Sequence, residues 1–187
     1  MLYNEEDVKK LIINDEWMMD IIRAVKTLNL PDWWICAGFV RSKVWDTLHQ
    51  FQRTTIPDID VIYYDPFNTT KEVEKVLEEE LKALLPCIPW SVKNQARMHT
   101  VNKLAPYTSS IDAISKFPET ATALGVKLDL DNRLILAAPC GLDDVINLRV
   151  RPTDFFKETE ERREIYQARL RKKNWIAIWN KIDMEEA

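Results

Sequence analysis

The stretch WWICAGFVRSKVWDTLHQFQRTTIPDIDVIYYD, Trp33–Asp65, decides the fold of this 187-residue chain. Its apolar beginning, Trp33–Ala37, predicts a short strand that stops at Gly38. Apolar residues then recur at helical spacing over Val40–Phe51, and a β-branched and aromatic run, Ile59–Tyr64, predicts a second strand. The predicted order is therefore strand, glycine, helix, loop and strand.

Two aspartates stand at the head of the second strand, in Asp58-Ile59-Asp60. Because side chains alternate along a strand, Asp58 and Asp60 point the same way, about 7 Å apart. Paired carboxylates can hold a divalent metal, and a helix N-terminus opened by a glycine can bind phosphate. The alternative interpretation is a turn that leads from Pro57 into the strand.

Periodicity and turn signals predict the remaining elements. Two short helices are expected within Asn4–Leu28, with Asn14-Asp15 as the break and N-cap. The other predictions are helices over Lys71–Leu85, Gln95–Leu104, Ser109–Lys116, Asp143–Leu148 and Asp154–Lys173, a terminal helix at Trp175–Trp179, a strand over Trp90–Asn94, and a hairpin of Val126–Asp129 with Leu134–Ala138.

Composition excludes several classes of protein. A chain that is 46% hydrophobic and 30% charged is globular, not disordered. Three scattered cysteines without CxxC spacing (Cys36, Cys87 and Cys140) predict buried free thiols in a reducing compartment. No apolar run approaches the ~20 residues of a membrane span, so we expect a cytoplasmic protein without a membrane partner. The net charge of -4 argues against general electrostatic binding of nucleic acid by the whole surface. It is compatible only with binding through a local basic patch.

Six ordered blocks carry a resemblance to a known family: AGFVRSKVWDTLH, DIDVIYYD, WSVKNQARMH, FPETATALGVKL, APCGLDDV and VRPT. They resemble the small bacterial nucleotidyltransferase-like protein family, within the DNA polymerase β-like nucleotidyltransferase superfamily, over about Trp33–Trp179. The resemblance implies an α+β (mixed α/β) fold with a nucleotidyltransferase-type core. This core is a central mixed sheet flanked by helices, with helical N- and C-terminal additions, in a single domain 1–187.

The resemblance also implies a reaction and its residues. A Mg²⁺-dependent (or Mn²⁺-dependent) nucleotidyltransferase would move a nucleoside monophosphate from an NTP to a hydroxyl of an unidentified acceptor. Asp58 and Asp60 would be the catalytic metal ligands, and the metal would neutralise charge and activate the hydroxyl. Arg41 and Ser42 would donate to phosphate oxygens, and Gly38, which accepts any φ, would let the backbone approach a triphosphate.

The densest polar cluster of the chain, VKNQARMH, predicts further contacts to the nucleotide or the acceptor. Its candidate residues are Lys93, Asn94, Arg97 and His99, and the alternative is a structural hydrogen-bond network. Other charged runs predict only solvated helix faces. These runs are Glu72, Glu74, Glu78, Glu79 and Glu80 on one helix and Arg169–Lys173 on another.

Two features depart from the superfamily pattern. Gly38 is followed by Phe39 instead of serine or glycine, and the Trp90–Asn94 strand lacks the third carboxylate that a following strand normally supplies. Three acids elsewhere are left open as substitutes: Asp112, Glu119 and Asp144. The alternative function is therefore a non-catalytic protein that keeps the fold and binds a nucleotide or a partner. An RNA- or tRNA-modifying role is a third hypothesis, which would need a basic surface from Lys93, Arg97, Arg149 and Arg151.

Overall fold

The computed structural model describes residues 2–185. Its main sheet contains β1 (Trp34–Cys36), β2 (Ile59–Tyr63), β3 (Trp90–Asn94), β4 (Gly125–Leu128) and β5 (Leu134–Ala137). The strand order is β3-β2-β1-β4-β5, with β2 and β3 parallel and the other neighbours antiparallel. The predicted central mixed sheet flanked by helices is confirmed.

Helices surround this sheet. The break predicted at Asn14-Asp15 separates α1 from α2, and the Asp15 carboxylate accepts a hydrogen bond from the Met18 N–H. The helices are α1 (Glu5–Ile13), α2 (Glu16–Thr27), α3 (Gly38–His49), α4 (Lys71–Leu84), α5 (Gln95–Asn102), α6 (Ser110–Ser115), α7 (Asp143–Ile146), α8 (Asp154–Lys157) and α9 (Glu160–Lys173). Five of those described within residues 2–185 (α1, α2, α5, α6 and α9) begin at a side chain that accepts from one of their first N–H groups.

The C-terminal part of the chain differs from the prediction. The long helix expected over Asp154–Lys173 is two helices, because the Thr159 hydroxyl caps α9 by accepting from the Arg162 N–H. The helix expected at Trp175–Trp179 is a single 3-10 turn over Trp175–Ala177. A short parallel pair, β6 (Arg149–Val150) with β7 (Asp183–Met184), was not predicted and ties the chain end to the segment before α8.

Alternation along the central strands divides the apolar side chains between two cores. Ile35, Ile59 and Val61 belong to the larger core, whereas Trp34 and Ile62 belong to a smaller one that α6 covers. Asp60 alternates with Ile59 and Val61, so its carboxylate emerges on the side of the smaller core. The sheet therefore buries apolar residues on both of its faces, and the two acids lie at the start of β2.

Two predictions about surface residues are wrong. Cys87 is exposed, although all three cysteines are free as expected. The acids of α4 are not merely solvated, because Glu74 is only 1% exposed and binds Arg97, while Glu78 accepts from the Val92 N–H at 2.9 Å. Both glutamates instead fasten α4 to β3 and α5. Within residues 2–185, none of the helices combines the length and the hydropathy that a membrane span requires.

Candidate active site

A cavity of about 380 Å³ lies where β2, the first turn of α3 and the last turns of α9 meet. The carboxylates of Asp58 and Asp60 line it. Three cationic side chains line the same cavity: Arg41, Arg169 and Lys173. One cavity thus holds acids that suit a metal and bases that suit phosphate.

The negative charge of Asp58 affects the ionisation of Asp60 inside this cavity. Asp58 is exposed just before β2, and Asp60 is half-buried within it. Burial raises the pKa of the Asp60 carboxyl above its ordinary value, and the negative charge of Asp58 raises it further. Lys173 and Arg169 oppose this rise. Both residues line one cavity, as expected if strand alternation places them on one side.

Ser91 lies beside Asp60 because β2 and β3 pair in parallel register at these two residues. The Ser91 hydroxyl is a donor that favours the ionised Asp60 carboxylate, so it opposes the rise in the pKa of Asp60 that burial causes. Ser91 belongs to the strand from which a third carboxylate is expected by resemblance. A hydroxyl therefore stands next to the acid pair on that strand.

None of the three acids considered as substitutes is among the described residues that line the cavity, and each is already paired with a cation. Asp112 pairs with Lys116 at 2.8 Å, and Asp144 pairs with Arg151 at 2.9 Å. Glu119 is fully buried and accepts from Arg169 Nε. Among residues 2–185, no three or more His, Cys, Asp and Glu side chains group so as to hold a metal ion.

The available donors nonetheless fit a cation that arrives with a nucleotide. Asp58, Asp60 and Ser91 offer only oxygen ligands, which Mg²⁺ prefers. Magnesium at nucleotide sites is commonly bound by one or two carboxylates together with the substrate's phosphates. A pair of carboxylates is sufficient for that mode of binding, whereas a cage made wholly of protein would need more.

Aromatic rings hold the guanidinium of Arg41. Its Cζ lies 5.2, 4.5 and 5.3 Å from the ring centroids of Trp45, Trp175 and Trp179. Its Nη2 donates to Ser42 Oγ at 3.1 Å, while its buried Nε has no hydrogen-bond partner. Burial lowers the pKa of this guanidinium to about 10, so it stays protonated at neutral pH. Arg41 therefore brings a positive charge to the wall of the cavity and keeps one buried N–H without a partner.

The unusual backbone at the start of α3 falls on Ala37. Its φ of 53° and ψ of −115° lie in a region that favours glycine. Gly38 is the first helical residue, and no side chain caps this N-terminus. A Cβ added at Gly38 would lie 3.6 Å from Arg41 Nη2, an ordinary contact. The role of Gly38 is thus not backbone freedom, and the residue leaves space beside Arg41.

The structure does not bring the VKNQARMH residues to this cavity. They lie on β3 and α5, where they form the structural network that was the alternative interpretation. Ser42 is also buried and contacts the cavity only through Arg41. The network consists of Asn94 Nδ2 donating to the carbonyls of Asp65 and Asn68, the Arg97–Glu74 and Lys93–Glu78 ion pairs, and a hydrogen bond between His99 Nε2 and the Thr100 hydroxyl.

Several cavity residues come from a part of the chain that sequence reasoning assigned to solvent or left without a role. Arg169 and Lys173 lie four residues apart, and so do Trp175 and Trp179. In a helix this spacing places two side chains on one face, and it is the only signal that marks the first pair. The anchor of Arg169, the buried Glu119, lies 50 positions earlier and gives no local pattern.

One buried carboxylate connects two walls of the cavity. Asp46 of α3 accepts hydrogen bonds from the Thr54 N–H at 2.9 Å and the Thr54 hydroxyl at 3.1 Å. It also accepts from Trp179 Nε1 at 2.8 Å. Asp46 therefore holds both the loop that leads to Asp58 and a ring that stacks on Arg41.

The chain is similar to proteins of known family and structure. A sequence model described as a nucleotidyltransferase family matches residues 23–184. An NMR structure said to reveal a CCA-adding enzyme head domain is 38% identical, with a TM-score of 0.90 over 100% of this chain and 98% of that chain. No curated protein is significantly similar in sequence.

Larger enzymes share the fold at low identity. A CCA-adding enzyme in complex with CTP is 16% identical, with a TM-score of 0.59 over 96% of this chain and 43% of that chain. The Thermotoga maritima CCA-adding enzyme in complex with tRNA is 16% identical, with a TM-score of 0.57 over 96% and 42%. The chain thus spans less than half the length of these enzymes.

Proposed function

This chain belongs to the nucleotidyltransferase family, and on that premise we propose that it transfers a nucleoside monophosphate from an NTP to a hydroxyl of an acceptor, with Mg²⁺ or Mn²⁺. The observation that carries the proposal is the single cavity shared by Asp58, Asp60 and Arg41. In the transfer, the acceptor oxygen bonds to the α-phosphorus and the bond from that phosphorus to the β-phosphate oxygen breaks. Pyrophosphate leaves with the electron pair, and the hydroxyl proton passes to water.

Each side chain has a role that its surroundings support. Asp58 and Asp60 would hold the divalent cation, which when bound neutralises phosphate charge and favours the ionised hydroxyl. Arg41 would bind phosphate oxygens through its guanidinium, which lines the cavity. The N-terminus of α3 would add N–H donors and a favourable dipole for the same anion. The tryptophans around Arg41 keep water away, which strengthens these interactions.

The proposal is tested by titrating ATP and CTP into the protein by calorimetry, with and without Mg²⁺ or Mn²⁺. We expect metal-dependent binding that is lost in the double variant Asp58→Asn/Asp60→Asn. Asp131→Asn, which removes an exposed acid of the β4–β5 turn, is the matched control and should bind as the natural chain does. Equal metal-dependent binding by the double variant would remove these aspartates from the site.

A second candidate function is a non-catalytic protein that keeps the fold and binds a nucleotide or a partner. Within residues 2–185, the absence of a group of three metal-ligating side chains favours it. Metal-dependent NTP binding without pyrophosphate release, across a panel of hydroxyl acceptors, is its expected signature. Pyrophosphate release that depends on Asp58 and Asp60 would decide for the enzyme.

A further inference from the structure

A second cavity, of about 840 Å³, lies between α5, α8, α9 and the segment that follows α6. We call it the basic groove, because five cationic side chains line it: Lys116, Arg162, Arg169, Lys172 and Lys173. None of the described residues that line it is acidic. Arg169 and Lys173 also line the candidate active site, so the two cavities meet at these side chains.

The positive charge of the basic groove is only partly neutralised. Lys116, Arg162 and Arg169 each pair with one acid, namely Asp112, Glu158 and Glu119. Lys172 and Lys173, in contrast, have neither an ion pair nor a side-chain hydrogen bond within residues 2–185. The groove therefore has two cations without an ion-pair partner among residues 2–185, and one of them, Lys173, stands at the junction with the active site, where its charge acts on Asp60.

Aromatic rings hold two of the groove's cations in place. The Cζ of Arg162 lies 3.6 Å from the ring centroid of Phe155, and Lys116 Nζ lies 5.4 Å from that of Tyr107. Cation–π contacts and packed aliphatic stems fix such side chains without using all of their N–H donors. The groove thus presents positioned donors to a ligand, which a loose cluster of surface lysines would not do.

We propose that the basic groove binds the acceptor and that the acceptor carries a phosphate group. The inference rests on the proposed function, because it takes the adjoining cavity as the NTP site. An acceptor held here would direct its hydroxyl past Arg169 and Lys173 toward Asp60, with its phosphate on Lys172 and its neighbours. The shared cations would then stand between two anionic substrates and reduce their repulsion.

Two kinds of acceptor share this chemistry: a small phosphorylated compound and the 3′ end of an RNA strand. The test therefore begins with adenosine 5′-monophosphate and adenosine, titrated by calorimetry into the full chain without metal or NTP. We expect the phosphorylated probe to bind more tightly, and its affinity to fall as salt is raised. Equal affinities for the two probes would overturn the proposal.

Variants on α9 locate the binding. Lys172→Gln should weaken the monophosphate about tenfold, the loss expected for one charge-assisted hydrogen bond. The neighbouring Arg171 lines a different cavity, so Arg171→Gln is the matched control and should change nothing. Lys172→Glu should weaken binding further. If Lys172→Gln and Arg171→Gln behave alike, the groove is not the site.

Two further measurements distinguish the two kinds of acceptor and test the groove independently of the NTP site. A ribotrinucleotide that binds at least tenfold more tightly than the monophosphate, with the same dependence on Lys172, identifies a strand end. Equal binding of the two identifies a small acceptor. Lys172→Gln should leave metal-dependent ATP binding intact, and Asp58→Asn/Asp60→Asn should leave monophosphate binding intact. The proposed NTP site and the proposed acceptor groove are therefore tested by different titrations, the first with ATP and metal and the second with the monophosphate.

Discussion

The carboxyl of Asp60 lies where burial and the nearby charge of Asp58 make its ionisation unfavourable. Burial and the charge of Asp58 raise its pKa, so the native protein binds this proton more tightly than the unfolded chain does. The contribution of Asp60 to stability is then fully present below the ordinary pKa of 3.8 and is lost as the pH rises through the raised value. Asp60 thus lowers stability at neutral pH, as expected of an acid whose proposed role is to bind a cation.

Replacement of Asp60 by asparagine should therefore stabilise the metal-free protein at pH 7. We expect Asp60→Asn to raise the free energy of unfolding in a urea titration by less than about 2 kcal/mol, the range typical of relieved functional sites. The gain should disappear well below pH 3.8, where this carboxyl is protonated in both states. A loss of stability at pH 7 would show that Asp60 is a structural acid.

Ser91 offers a way to complete the acid cluster, because it stands beside Asp60 on β3. A third carboxylate adds a ligand and a negative charge, both of which raise affinity for a divalent cation. We expect Ser91→Asp to tighten Mn²⁺ binding about tenfold or more in a calorimetric titration. Ser91→Asn has similar size and no charge, and it should not tighten binding. Unchanged Mn²⁺ binding in Ser91→Asp would place the cation elsewhere.

At the level of helices and loops, α3 organises one side of the site. Its first turn faces the cavity with Gly38 and Arg41, and its Asp46 anchors the loop before β2 and the ring of Trp179. The helix α9 organises the opposite boundary, because Arg169 and Lys173 line both the cavity and the basic groove. Two helices that are distant in sequence therefore enclose the acids of β2.

Asp46→Asn tests this connection. An asparagine amide has one acceptor oxygen, so it cannot accept from both Thr54 and Trp179, and one buried donor is left unpaired. We expect a loss of about 1–3 kcal/mol in the free energy of unfolding, together with altered near-ultraviolet circular dichroism of tryptophan. NTP affinity should fall as well, since both walls loosen.

Thr47→Ala supplies the control for this variant. Thr47 follows Asp46 on α3, and its exposed hydroxyl only donates to the Lys43 carbonyl. We expect a change of less than about 0.5 kcal/mol, as is usual for surface substitutions. If Asp46→Asn were equally mild, the hydrogen bonds of Asp46 would not determine the shape of the cavity.

Over the whole molecule, charge is segregated in a way that the net value of -4 conceals. The hypothetical basic surface of Lys93, Arg97, Arg149 and Arg151 does not form, since Lys93, Arg97 and Arg151 are each paired with an acid. The last turns of α9 supply the positive surface instead, next to the acids of β2. A single domain over 1–187 and a cytoplasmic location stay predictions.

Local patterns in the sequence determined most of the elements up to β5 and marked the acid pair as a candidate. The strand over Trp90–Asn94 is confirmed, because its apolar pattern and its flanking turns specify a local conformation. Alternation through Asp58-Ile59-Asp60 predicted one side for the two acids, and both residues line the same cavity. The family resemblance added the mixed sheet, which the local pattern of any single strand does not specify.

Only the tertiary structure decided what lies opposite the acids. Asp46 and Trp179 are 133 positions apart, and no periodicity within one element reports which surface another element will cover. The basic end of α9 was expected to face solvent, but it lines the cavity. The polar run on β3 and α5 was expected to bind substrate, but it fastens α4. Periodicity fixes the face on which a side chain lies, whereas packing between distant segments fixes what that face meets.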